Sequence, residues 1–302
     1  MAEAARSRVL MSGASGLIGT ALLPSLEASG YEVTRLVRGA ASGERQIVWG
    51  PAQPLDPELV SGFDAVIHLS GESIVGRWTE AKKKRIVESR VGATRNLSEA
   101  LAKALQRPRI FVCASATGFY GNRDDEVLRE GSSSGTGFLP EVCREWEAAA
   151  DAASAAEIRV VHIRTGIVLS GRGGALQKML LPFRLGLGGK TGSGKQWMSW
   201  IGMEDMIAAV QWILKHDSLS GAVNMVAPNP VTNAEFTKTL ASVLSRAASF
   251  SVPVFAVRLA FGEMGKEILL GSQRVEPAKL LASGYVFQQP DLRRALERIL
   301  QA

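Results

Sequence analysis

The segment RVLMSGASGLIGTALLPSLEASGYEVTRLVR, Arg8 to Arg38, decides how the rest of the chain is read. Its opening, Arg8 to Ala14, is an apolar run of strand length. GLIGTALLPSLEASG then carries apolar residues at helical spacing and stops at Gly30, after which YEVTRLVR returns to a strand pattern. Strand, helix and strand in this order predict a βαβ unit.

The alternation continues outward from it. RQIVWG and FDAVIHLSG read as short strands, Thr79 to Leu105 as a long helix, RIFVCAS as a strand, Phe138 to Ala156 as a helix and IRVVHIRTGIVL as a strand. Buried strand runs alternating with helices predict an α/β fold with a doubly wound, Rossmann-type, mainly parallel sheet. After Leu169 the texture becomes glycine-rich and irregular, followed by a helix from about Met203 to Lys215, a strand GAVNMVA, a helix Asn233 to Arg246 and two helical patterns beyond Val252. The expected division is residues 1–169 as the first domain and 170–302 as mainly a second, smaller α+β substrate domain, with segments around 200–230 returning to the first.

Composition narrows the function classes. The chain has 302 residues, 46% hydrophobic and 21% charged, which is ordinary for a globular protein with about two domains. Cys113 and Cys143, its two cysteines, lack metal-ligand spacing, and no secretory h-region precedes the first strand. The expectation is a cytoplasmic protein with free thiols and no metal. No apolar run reaches the roughly 18 residues of a membrane span. The net charge of +6 is spread along the chain apart from Lys82 to Arg85, so a solvated helix face and an anionic ligand account for it better than nucleic acid does.

The chemistry begins at GASGLIG. Gly13, Ala14, Ser15, Gly16, Leu17, Ile18 and Gly19 follow the first strand and open the first helix, where glycines make a tight turn and let a pyrophosphate approach the helix N-terminus. At the end of the second strand a carboxylate would accept from an NAD ribose. Here Val37 and Arg38 stand there, with no acid before Glu44. Arg38 suits a 2′-phosphate, so the expected cofactor is NADP(H). Leu69, Ser70, Gly71 and Glu72 end the fourth strand at the carboxyl edge, where ligands bind in such folds, and Arg90 on the long helix is within reach. His68 reads as a core histidine. Thr165, Gly166 and Val168 are placed to pass the nicotinamide, and Tyr120, Arg164 and Lys178 to meet a substrate.

GASGLIG, HLSGESIVGRWTEAKKKRIVESRVGAT, SATGFYG, RTGIVLSGRGGAL, LPFRLGLGG, APNPVTNAEF and SQRVEPAKLLASGY together resemble the atypical, epimerase-like subgroup of the extended short-chain dehydrogenase/reductases. Bacterial members of that subgroup often carry a cell division inhibitor label and end in a domain of unknown function. The resemblance spans nearly the whole chain and implies an NADP(H)-binding domain, a smaller substrate domain and a homodimer paired through the Thr79–Leu105 and Phe138–Ala156 helices.

It also exposes a departure. Active relatives begin the second of these helices with Tyr-x-x-x-Lys, whose i,i+4 spacing puts proton donor and ribose-binding cation on one face. Counted back from Trp146 and Glu147, those positions are Leu139 and Cys143, and Pro140 predicts a helix start one residue late. The assisting serine position is Ala116, flanked by Ser115 and Thr117, which become the expected catalytic hydroxyls; Glu72 is a further substitute, while Tyr120, in its Phe-Tyr-Gly context, reads as a loop-packing residue rather than an acid. The subgroup has a histidine where this chain has Gly202. Two functions follow: an NADP(H)-binding, epimerase-like oxidoreductase of a small polar substrate, or a non-enzymatic NADP(H)-responsive binding or regulatory protein, with a link to cell division implied by the label.

Overall fold

A computed structural model describes residues 6–41, 43–248 and 250–301. β1 (Arg8–Ser12), α1 (Gly19–Ala28) and β2 (Glu32–Val37) form the expected βαβ unit, with β1 and β2 parallel from Arg8 beside Glu32 to Ser12 beside Leu36. β3 (Gln46–Val48), β4 (Ala65–His68) and β5 (Ile110–Ala116) follow. The sheet has seven parallel strands in the order Gly221–Met225, Arg159–Thr165, β5, β4, β1, β2, β3. Strand order reverses between β1 and β4, and the crevice outside their carboxyl ends is where such sheets take ligands.

Period-two alternation explains the two cores. Val9, Met11, Ile67 and Val112 face one side with Leu22 and Leu26 of α1 and Met206, Val210 and Ile213 of the Met203–Lys215 helix. Leu10, Val66, Phe111 and Cys113 face the other, beneath Leu97, Leu101 and Trp146. The chain thus comes back to the sheet after residue 200, supplying a covering helix and the Gly221–Met225 edge strand. A third core joins Leu176, Leu180, Phe183, Phe236, Leu240 and Leu296, from the Gly174–Arg184, Asn233–Val243 and Leu292–Gln301 helices, with Trp200 of the Trp200–Gly202 strand.

Several elements differ from the sequence reading for identifiable reasons. The long helix is α2 (Glu80–Val87), a π turn at Glu88–Gly92 and α3 (Ala93–Lys103), capped by Thr79, whose side chain accepts from Lys82 N. The later helix divides into α4 (Phe138–Ala148) and α5 (Asp151–Ala155). IRVVHIRTGIVL is two strands, Arg159–Thr165 and Ile167–Leu169, because Gly166 lies so close to Ser199 that an added Cβ would be 2.6 Å from its carbonyl oxygen. Ile167–Leu169 then pairs with Trp200–Gly202 and leads into the smaller unit. Beyond Val252 there are three α segments, Val254–Phe261, Ala278–Ala282 and Leu292–Gln301, and a π turn at Gly265–Leu269. No helix among the described residues is long and apolar enough to cross a membrane.

Candidate functional site

The glycine turn is shaped by contacts that only glycine permits. Gly13 has φ +74°, and a Cβ there would lie 2.6 Å from the carbonyl carbon of Leu69 and 2.8 Å from Ser70 N. Gly19 is buried against the same turn, where a Cβ would sit 2.2 Å from Gly13 O. The turn therefore nests against the end of β4 and leaves Ser15 and Gly16 exposed at the start of α1. A helix start with an open face and glycine-only packing is a cradle for an anionic group. On the next strand, Val37 ends β2 and Arg38 lies exposed just past it. The residues present fit a phosphorylated dinucleotide.

At β4 the four predicted residues separate. Leu69 and Ser70 meet the glycine turn, whereas Gly71 packs on Arg90, its missing Cβ leaving 3.3 Å to the guanidinium carbon. Glu72 is already engaged: Lys82 Nζ donates to it at 2.7 Å and Arg85 lies 3.9 Å away, which together hold its carboxyl below its usual range. That ion pair argues against Glu72 as a proton donor. His68 is fully buried, with Nδ1 2.6 Å from Ser12 Oγ, and burial lowers its pKa to about 4. It is a neutral core residue.

The end of β5 corrects the catalytic reading most. Ser115 donates to Glu147 Oε1 at 2.6 Å, and Arg164 forks onto the same carboxylate through Nε and Nη2, both at 2.8 Å. Arg164 is 5% exposed and lies 3.5 Å over the Phe119 ring, so this guanidinium is not presented to a substrate. Tyr120, fully buried, accepts from Arg164 Nη1 at 3.0 Å and donates toward Asn224 Oδ1 at 2.8 Å; burial raises its pKa. Tyr120 and Arg164 are structural, and Ser115 belongs to their network. Thr117 differs, since its hydroxyl makes no hydrogen bond among the described residues.

Leu139 and Cys143 do share one face of α4. Both meet Gly118, immediately after β5: an added Cβ there would be 3.4 Å from Leu139 Cβ and 3.8 Å from Cys143 Sγ. The helix includes Leu139, contrary to the expected late start, because Pro140 falls in its first turn, where its missing N–H costs nothing, and Glu267 accepts from the N–H groups of Phe138 and Leu139. Cys143 is 3% exposed, and burial pushes its thiol up to about 12. Neither residue can transfer a proton near neutral pH.

On the other side of the glycine turn lies a cleft of about 980 Å³ lined by Ser15, Gly16 and Leu17, the Leu169–Gly174 segment, and Arg172, Arg184 and Arg298. Gly173 and Gly174 rest on Leu17, at 3.1 and 2.8 Å from an added Cβ. Lys178 is exposed and does not line this cleft, whereas Arg184 of the same helix does. Gln289, missed by the sequence reading, fills the space beside Gly202, where a Cβ would be 2.1 Å from Gln289 Oε1. A histidine at 202 requires that glutamine to move. Thr165 bonds its own strand at Ile163 O, 3.2 Å away, Gly166 is closed off by Ser199 and Val226, and Val168 is partly buried. No cluster of metal ligands occurs among the described residues.

Comparison with known proteins agrees with this geometry. Residues 9–226 match the NAD dependent epimerase/dehydratase family and residues 252–299 a domain of unknown function, DUF1731. An epimerase family protein of Mycobacterium bovis is 42% identical over 294 residues, covering 97% of each chain. The human epimerase family protein SDR39U1 is 38% identical over 300 residues, covering 97% of this chain and 99% of the human one. A crystal structure of human SDR39U1 (isoform 2) with NADPH superposes with a TM-score of 0.88 at 37% identity, over 97% of this chain and 99% of that one. A nucleoside-diphosphate sugar epimerase from Corynebacterium glutamicum gives 0.83 at 37% identity, over 98% of this chain and 58% of that one. The chain belongs to the NAD dependent epimerase/dehydratase family and ends in a DUF1731 domain.

Proposed function

We propose that this protein binds NADP(H) along the carboxyl edge of its sheet and acts as an epimerase-like oxidoreductase on a small polar substrate, without a tyrosine–lysine relay. The observation that carries the reading is Arg38, exposed past β2 beside the glycine turn, with no carboxylate on that strand end. A guanidinium there selects a 2′-phosphate, while the glycine turn accepts the pyrophosphate. The human relative crystallised with NADPH supports the same choice. When bound, NADP(H) would supply the hydride-transfer chemistry. The chain contributes binding, exclusion of water behind Leu139 and Cys143, and the Thr117 hydroxyl as the donor to a substrate carbonyl.

A second reading, an NADP(H)-responsive binding protein, is favoured by the apolar face of Leu139 and the protonated Cys143. General acid–base catalysis contributes typically about 10²–10⁴-fold, and a site without its tyrosine forgoes that unless Thr117 replaces it. Anaerobic mixing of the protein with NADPH and a panel of carbonyl compounds and nucleotide sugars separates the two. Cofactor oxidation that falls in Thr117→Val supports the enzyme; tight NADPH binding without oxidation by any substrate supports the binding protein.

A further inference from the structure

The helix Val254–Phe261, VFAVRLAF, is apolar at every position except Arg258, yet Val257 is its one buried residue. Phe255 and Leu259, four residues apart on one face, are 71% and 75% exposed. A helix so apolar all round belongs under cover. The exposed surface runs on from it. Phe250 and Val252 of the preceding strand are exposed, and that strand pairs in parallel with Gly189–Thr191, whose approach carries the exposed Leu185 and Leu187. Glycines hold these segments together: a Cβ at Gly189 would collide with Phe250 O, and one at Gly192 would be 3.0 Å from Val254 Cγ2. Contiguous apolar surface of this kind marks an interaction site.

The charges beside the surface select its partner. Lys190, Lys238 and Arg246 line a groove of about 310 Å³ that ends on Phe250 and contains no carboxylate. Arg246 Nε donates to Arg184 O at 3.0 Å, which sets the groove beside Leu185. Neither these three cations nor the exposed Arg258 forms an ion pair among the described residues. Glu235, on the same helix as Lys238, is spent on its own cap, accepting from Thr232 N and Oγ1. A second copy related by a two-fold axis would bring the same cations against each other, because such an interface meets itself. Side chains this exposed protrude rather than enclose, which suits a surface that yields to them. We propose that this face docks the protein on an anionic membrane surface, with Phe250, Phe255 and Leu259 entering the acyl boundary and Lys190, Lys238, Arg246 and Arg258 meeting headgroup phosphates. The attachment is peripheral, made by side chains of a folded unit and not by a spanning helix.

Co-sedimentation of the full chain with vesicles tests this. Wild type should sediment with vesicles of equal parts phosphatidylcholine and phosphatidylserine, stay in solution with phosphatidylcholine alone, and be released from the mixed vesicles by high salt. The double variant Phe255→Ser, Leu259→Ser should bind the mixed vesicles at least about tenfold more weakly, and the triple variant Lys190→Gln, Lys238→Gln, Arg246→Gln about a hundredfold more weakly. Both should keep the wild-type melting temperature, since every side chain they change is exposed. Should either prove unstable, Leu259→Ser and Lys238→Gln alone carry the test, each with a several-fold loss. Wild type that sediments with neither vesicle, or equally with both, overturns the proposal, as do folded variants that bind as wild type does. Binding to polyglutamate without binding to vesicles also overturns it and assigns an acidic protein instead. So does a wild-type dimer that Phe255→Ser, Leu259→Ser splits into monomers by light scattering while vesicles go unbound.

Discussion

Glu267, from the C-terminal DUF1731 segment, accepts hydrogen bonds from the backbone N–H groups of Phe138 at 3.1 Å and Leu139 at 2.9 Å, so its carboxylate caps the N-terminus of α4 across more than a hundred residues of chain. The contact explains Gly137, which has φ +117° and whose Cβ would lie 2.9 Å from Glu267 Oε1. It ties the smaller unit to the helix that flanks the end of β5. Glu267→Ala removes both acceptors and the charge that favours the helix N-terminus. It should cost about 1–2 kcal/mol in urea unfolding, and unchanged stability would show the cap to be dispensable.

The Arg164–Glu147 fork, with side chains 6% and 13% exposed, should behave as a buried ion pair. Truncating one partner strands the other. Glu147→Ala should destabilise the protein by about 3–5 kcal/mol, or prevent its folding, while Ser115→Ala, which leaves the fork intact, should cost about 1–3 kcal/mol. If Ser115→Ala abolished turnover at full stability, the serine would be catalytic and its placement in the structural network would be the wrong account.

His68 gives stability a pH dependence with a fixed sign. Its folded pKa, about 4, lies below the 6.5 of an ordinary histidine, so between those values the unfolded chain holds a proton that the folded chain does not. The neutral buried ring's contribution is complete above about pH 6.5 and is lost as pH falls toward 4, amounting to about 2 kcal/mol by pH 5. Urea unfolding at pH 7.5 and pH 5.0 should therefore show a smaller acid loss for His68→Gln than for wild type. Equal losses would mean that the ring takes up its proton without penalty.

Cys143 should be chemically quiet. With its thiol raised to about 12 and only 3% exposed, it should resist iodoacetamide at pH 8 in the folded protein and react once unfolded. Cys143→Ser should retain NADPH binding, and Leu139→Ala should lose about 2–5 kcal/mol of stability. Rapid alkylation of Cys143 with loss of function would identify a working thiolate.

Local patterns carried the fold because the strands are short apolar runs and the helices have clear ends: the βαβ unit, Gly13 and Gly19 and the exposed Arg38 all follow from Arg8–Arg38 read alone. What failed depended on partners distant in sequence. Nothing near Arg164 announces Glu147, nothing near Tyr120 announces Asn224, and the break at Gly166 is set by Ser199. Arg90 and Lys178 look alike as helix cations, and only packing separates an enclosed guanidinium from an exposed amine. The start of α4 was misjudged because its cap comes from Glu267 rather than from an adjacent residue.

The central claim is that the glycine turn and Arg38 form an NADP(H) site, and nicotinamide fluorescence titration of wild type and Arg38→Ala with NADPH and NADH tests it most directly. The account predicts that wild type prefers NADPH and that Arg38→Ala loses about one to two decades of NADPH affinity with little change for NADH. Equal affinity of wild type for the two cofactors, or a preference untouched by Arg38→Ala, would contradict it.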